Sequence, residues 1–142
     1  MREREAERNL KILLVILVLW DLGLSVCAIG FAPQLDAFIR FPPQPEPLFT
    51  RGVGVYWLFA AYIQLLGFLN PRKFVVALQL AIIFRLSAAV IDTVEVVFLL
   101  PRPFYFFHYT LLFFVCMNVL IAILLSHFMN RLQLRRFDVS SA

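Results

Sequence analysis

The residues able to do chemistry are few, and most lie in segments otherwise fit for a lipid bilayer. The stretch ALQLAIIFRLSAAVIDTVEVVFLL, residues 77–100, carries Arg85, Asp92 and Glu95 among aliphatic side chains. Asp21 interrupts an apolar run over residues 10–31, and Asn118 interrupts another over 104–128. An isolated charge at the centre of a bilayer costs about 2.5–3.5 kcal/mol even on the lenient insertion scale, so such groups meet partners inside a bundle. At about 1.5 Å of rise per helical residue, Asp21, Arg85 and Asn118 fall near mid-depth on three different spans. We therefore expect Asp21 and Arg85 to form an ion pair, with Asn118 hydrogen-bonded to one of them. This trio would be a polar core of structural or ligand-binding character.

A second polar group is expected nearer the outer ends of the spans. Asp92 lies seven residues, two turns, beyond Arg85 and so on the same face. Ala81, Ala88 and Ala89 sit on or beside that stripe and would let a neighbouring helix approach closely. Arg51 opens the second apolar run at about the level of Asp92 and Glu95, and the expectation is that it pairs with one or both carboxylates. His108, one turn into the last run from the same side, would bridge them or exchange a proton near neutral pH. Gln64 and Gln79 read as interhelical hydrogen-bond donors. Three roles are open to these groups: fixing which helix packs where, lining a polar ligand pocket in the outer half, or forming a proton or ion path.

No catalytic residue, metal site or cofactor is assigned. Cys27 and Cys116 make no disulfide framework or metal-ligand spacing and are expected to pack as small buried hydrophobes. His108 and His127 are nineteen residues apart in one segment, a separation wrong for a single porphyrin.

The elements that must hold these residues follow from composition. Of the 142 residues 62% are hydrophobic and 15% charged, against about a quarter charged in a soluble domain. The apolar excess falls into four runs, at about 10–31, 52–69, 74–100 and 104–128, each long enough to cross about 30 Å of hydrocarbon. With no water there to satisfy the backbone, helix is the expected state of each. The fold class is thus all-α: a single integral membrane domain over 1–142, a bundle of four transmembrane helices. Residues 32–50 form a Pro-rich loop between the first two helices, in which Leu35, Phe38, Ile39 and Phe41 would make a short amphipathic turn on the membrane surface and Pro42 to Pro47 would run extended. A cleaved leader is the rival reading of the first run; Glu3, Glu5 and Glu7 in its charged start argue against it.

Charge sets the expected orientation. Arg2, Arg4, Arg8, Lys11, Arg72, Lys73, Arg131, Arg135 and Arg136 lie to one side of the spans, and Arg40, Arg51 and Arg102 to the other. Nine against three places both termini in the cytoplasm and the 32–50 loop outside, in the plasma or inner membrane. The formal net charge of +4 does not point to nucleic acid, because the basic residues flank apolar spans.

The arginine in TRGVGVYWLFAAY (50–62), the NPRK turn (70–73) and the charged third span together resemble the small four-helix DoxX-like membrane proteins. That family is named for a subunit associated with a membrane quinol oxidase. The resemblance implies an accessory membrane subunit and carries over no catalytic residue. Three function classes follow. The first expectation is a non-catalytic accessory subunit docking on other membrane proteins through its Phe-rich faces, surrounded by lipid. The second is a binder or isomerase of a lipophilic molecule using Asp92, Glu95 and His108, which would make the protein an enzyme. The third is a transporter of the small multidrug type, disfavoured by the charge bias and by the repulsion of cations from Arg85.

Overall fold

The computed structural model describes residues 2–39, 48–99 and 106–134, and only the backbone of Arg2, Ile39, Leu99, Phe106, Phe107 and His108. The regular elements among the described residues are all helices: α1 (Arg2–Gly30), α2 (Ala32–Ile39), α3 (Leu48–Leu69), α4 (Val75–Leu99) and α5 (Phe106–Arg131). Four of the five are long and apolar enough to cross a membrane.

The boundaries depart from the expected ones where polar residues continue a helix. α1 starts at Arg2. Its early glutamates complement the positive end of the helix dipole, and Glu7 meets Lys11 one turn on at 3.1 Å. The segment after Gly30 is more regular than the expected turn. Phe31 N–H donates to Cys27 O and Leu35 N–H to Phe31 O, both at 2.9 Å, so α2 follows α1 almost without interruption. Pro33 is tolerated because it lies in the first turn of α2, where its missing N–H is not needed. The expected extended run at Pro42 to Pro47, like the Pro101-Arg102-Pro103 connection, lies outside the described residues.

The α3–α4 turn is closed by local chemistry. Asn70 Oδ1 accepts from Lys73 N–H at 3.0 Å and Asn70 O from Phe74 N–H at 2.9 Å, with Pro71 between them, as at a helix N-cap. Arg72 reaches across to Glu3 at 2.5 Å on an exposed edge, and the hydrogen bond and charge of Glu3 raise the pKa of that arginine. α5 ends in a Schellman arrangement. Leu134 N–H donates to Met129 O and Gln133 N–H to Asn130 O, with Gln133 at φ 50°.

Packing divides the bundle into layers. α1 lies closely along α3, and α4 along α5; the two pairs meet less extensively, α1 against α5 less than α3 against α4. The half near both termini is filled by Leu10, Leu14, Leu17, Ile63, Leu78, Ile121, Leu125, Met129 and Leu132. On α1 the buried positions Leu10, Leu14, Leu17, Asp21, Ser25 and Ala28 recur at three- and four-residue steps, one stripe of a helix. The remaining faces carry exposed Ile, Leu, Val and Phe, such as Ile16, Leu19, Val90 and Phe98, as a lipid-facing surface requires. Cys27 and Cys116 are on these exposed faces, not inside as expected. Each falls off the buried stripe of its helix: Cys27 directly precedes buried Ala28, and Cys116 is two residues from buried Asn118.

A polar layer beneath an apolar cavity

Asp21, Gln64, Arg85 and Asn118 come together at the middle of the bundle, one from each long helix, all buried. Arg85 Nη2 pairs with Asp21 Oδ2. Arg85 Nη1 donates to Asn118 Oδ1 at 3.2 Å, and Gln64 Nε2 donates to Asp21 Oδ2 at 2.8 Å. The structure thus brings together the three residues expected to form the polar core and adds Gln64 from α3. The guanidinium supplies its several donors from a rigid plane, which lets it address α1 and α5 at once. Oδ1 of Asp21, Oε1 of Gln64 and Nε of Arg85 have no partner among the described residues. A buried network satisfied only in part is costly to disturb further.

Tyr56 braces the layer from α3. Its hydroxyl donates to Phe84 O at 2.8 Å, and its ring stacks on Phe84 with centroids 3.9 Å apart. Thr93 and Ser126 settle their hydroxyls on the carbonyls four residues back, Ala89 and Ala122. That local bond removes an unsatisfied donor from an apolar helix.

Beyond the polar layer, towards α2, the two helix pairs separate around a cavity of about 790 Å³. Trp20 and Leu24 of α1, Tyr56 and Trp57 of α3, Ala88, Asp92 and Glu95 of α4, and Phe114 and Asn118 of α5 line it, with Leu35 and Phe38 of α2 at its edge. Leu, Ile and Met fill most inward positions near the termini, with Ala77, Ala81 and Gly67 among them, and inward positions nearer α2 include Ser25, Ala28, Gly54, Ala88 and Ala89. Gly54 and Ala28 use their small size to bring α1 and α3 together: a Cβ built on Gly54 would lie 2.9 Å from Ala28 Cβ. Ala88 has the opposite effect. It was expected to admit a neighbouring helix, but it faces the void. α2 is tied over this end by Thr50, whose hydroxyl donates to Asp36 Oδ1 at 2.5 Å.

The expected outer cluster is only partly assembled. Asp92 and Glu95 are half-buried on one face of α4 and both border the cavity. Asn118, which accepts from Arg85, also lines the cavity, so the polar layer continues to the cavity wall. Arg51 does not join them. It has no ion pair among the described residues and lies on the exposed stripe that continues through Val55, Leu58, Tyr62, Leu65 and Leu69. The cavity-lining positions of α3 are Phe49, Thr50, Gly52, Val53, Tyr56 and Trp57, each about 100° or more from Arg51 around the helix. Depth alone suggested the pairing, and azimuth overrules it. Arg51→Gln is accordingly expected to leave thermal stability in detergent within about 0.5 kcal/mol of the parent, as for a surface substitution; a larger loss would show a partner for Arg51. His108 is in α5, and its side chain lies outside the described residues.

An outer-half pocket bordered by Asp92 and Glu95 was one of the roles left open by the sequence, and the cavity fits that role; missed were the partner of Gln64, Asp36 as the acceptor that holds α2, and the aromatic lining. No group of three or more potential metal ligands occurs among the described residues. Comparison with protein-family models, with curated proteins and with solved structures finds no match.

Proposed function

We propose that the protein binds a lipophilic small molecule within the membrane, in the cavity between the α1–α3 and α4–α5 pairs. The observation that carries this reading is the cavity. Its volume of about 790 Å³ lies in the range of small-molecule sites, roughly 300–1,000 Å³, and like them it is mainly apolar with a few convergent polar groups. Trp20, Tyr56, Trp57 and Phe114 offer flat apolar walls. Asp92, Glu95 and Asn118 supply a polar end that would orient an amphiphile. α1 and α5, which meet less extensively than α3 and α4, make the seam through which a molecule dissolved in the bilayer would enter. The accessory-subunit reading draws on exposed apolar faces that any bundle in lipid needs, and it leaves the cavity unused. The excess of Lys and Arg near both termini supports a cytoplasmic location for them, with the cavity in the outer half of the bilayer.

The test is photolabelling with a diazirine-bearing dodecanol in nanodiscs, with the labelled residues mapped by mass spectrometry. Saturable labelling at Tyr56, Trp57 and Phe114, competed by unlabelled dodecanol, is the expected result. Ala88→Phe, which fills the void, should abolish that labelling and leave unsaturable background on lipid-facing residues such as Val55 and Leu58. Labelling at the cavity that cannot be competed in the parent protein would overturn the reading, whatever the variant does.

A further inference from the structure

We propose that the molecule the cavity takes is a lipophilic cation, an amphiphile whose amine or quaternary ammonium lies against Asp92 and Glu95 while its chain occupies the apolar space. This rests on the cavity reading above and adds the charge of the occupant. Asp92 and Glu95 are three residues apart on α4, so their side chains share a face, and both border the void. Neither has an ion pair among the described residues.

The described cations nearby are already committed or turned away. Arg85 is engaged by Asp21 and Asn118, and its charge is matched by that of Asp21. Arg51 faces outward on the lipid stripe. The repulsion of cations expected from Arg85 when its sequence is read alone is therefore cancelled locally. Among the described residues no cation matches the charge that these two half-buried carboxylates carry when ionised, and an entering cation would supply it. An anionic head group would add a third like charge at short range in a low dielectric.

The aromatic lining points the same way. Tyr56, Trp57 and Phe114 stand around the void, with the Trp57 and Phe114 rings 6.0 Å apart. The faces of such rings attract ammonium groups, most strongly where water is excluded. Carboxylates at one end and aromatic rings along the walls are a combination suited to a soft cation carrying a hydrocarbon chain.

The experiment is competition against the dodecanol photolabel in zwitterionic nanodiscs, by three molecules with the same chain: dodecyltrimethylammonium, dodecanol and dodecanoate. Concentrations are expressed per bilayer lipid so that partitioning is removed from the comparison. Dodecyltrimethylammonium should compete about tenfold more effectively than dodecanol, and dodecanoate less effectively than either. The double variant Asp92→Asn/Glu95→Gln should lose the preference for the cation and keep competition by dodecanol, which also shows that the cavity is intact. Equal competition by the cation and the alcohol in the parent protein overturns the cation inference and leaves the cavity reading standing. Failure of all three to compete overturns both.

Discussion

Arg85→Leu should destabilise the bundle by about 3–5 kcal/mol, the scale for removing one partner of a buried ion pair. The reason is what remains. Asp21 would keep only its hydrogen bond from Gln64, at a site with no solvent exposure. Asp21→Asn should cost a similar amount by leaving the guanidinium without its counter-charge. The diagnostic result is the double variant Asp21→Asn/Arg85→Leu. If the two groups neutralise one another, its loss falls short of the sum of the single losses by about 1–3 kcal/mol, the coupling expected of groups in one network. Arg85→Lys should fall between parent and Arg85→Leu, because an ammonium keeps the charge but cannot present two donors from one plane to Asp21 and Asn118. Reversible unfolding in mixed detergent micelles measures all four. Strict additivity would mean that the pair does not act as a unit.

Gly54→Leu carries the second large effect. A Cβ at Gly54 would stand 2.7 Å from Ile29 Cγ1, 2.9 Å from Ala28 Cβ and 3.2 Å from Ile29 N. Ala28 Cβ and Ile29 N move only with the helix, so α1 and α3 must separate. Even Gly54→Ala should cost about 1–3 kcal/mol by overpacking, and Gly54→Leu more. Gly67 makes the useful contrast. Its added Cβ would meet Leu78 Cδ2 at 2.5 Å, the far end of a side chain that can turn aside, so Gly67→Ala should cost less. Gly52 has nothing within 4 Å of a new Cβ, and Gly52→Ala should be neutral or stabilising by up to about 1 kcal/mol through helix propensity. The expected order of melting temperatures is therefore Gly52→Ala, Gly67→Ala, Gly54→Ala, Gly54→Leu, from highest to lowest. A Gly54→Leu variant as stable as Gly52→Ala would show that the α1–α3 contact is not a seam the fold depends on.

The two polar groups differ in how far the sequence could foretell them. Asp21, Arg85 and Asn118 were legible because each stands alone at mid-depth in an apolar span, where being unpaired is too costly to be an alternative. The charge of Asp21 and Arg85 fixed the sign of the match, and similar depth fixed the partner. Gln64 was legible as an interhelical hydrogen-bonding residue, as its bond to Asp21 shows, but not its partner, because an amide is far cheaper to leave in such a span than a charge and so does not demand any one neighbour. Arg51 misled the reading because it lies at the end of a span. A long cationic side chain there can reach the interface on its own, and nothing forces it inward. α2 was underrated because its apolar residues fit a surface turn as well as a helix; the tie from Thr50 to Asp36 depends on residues fourteen apart.

What the sequence settled by itself was the number of helices long and apolar enough to cross a membrane and the need for opposite charges to meet between them. Both are properties of single segments: hydropathy, length, and the absence of water for backbone or ionised groups are written into each run separately. What only the tertiary structure decided was the direction in which each side chain points around its helix, and hence that Arg51 faces outward, that Gly54 closes one seam and that Ala88 borders a void beside Asp92 and Glu95. Those outcomes depend on how four rods are rotated and tilted against each other, which is set by the summed fit of many side chains and by no segment alone.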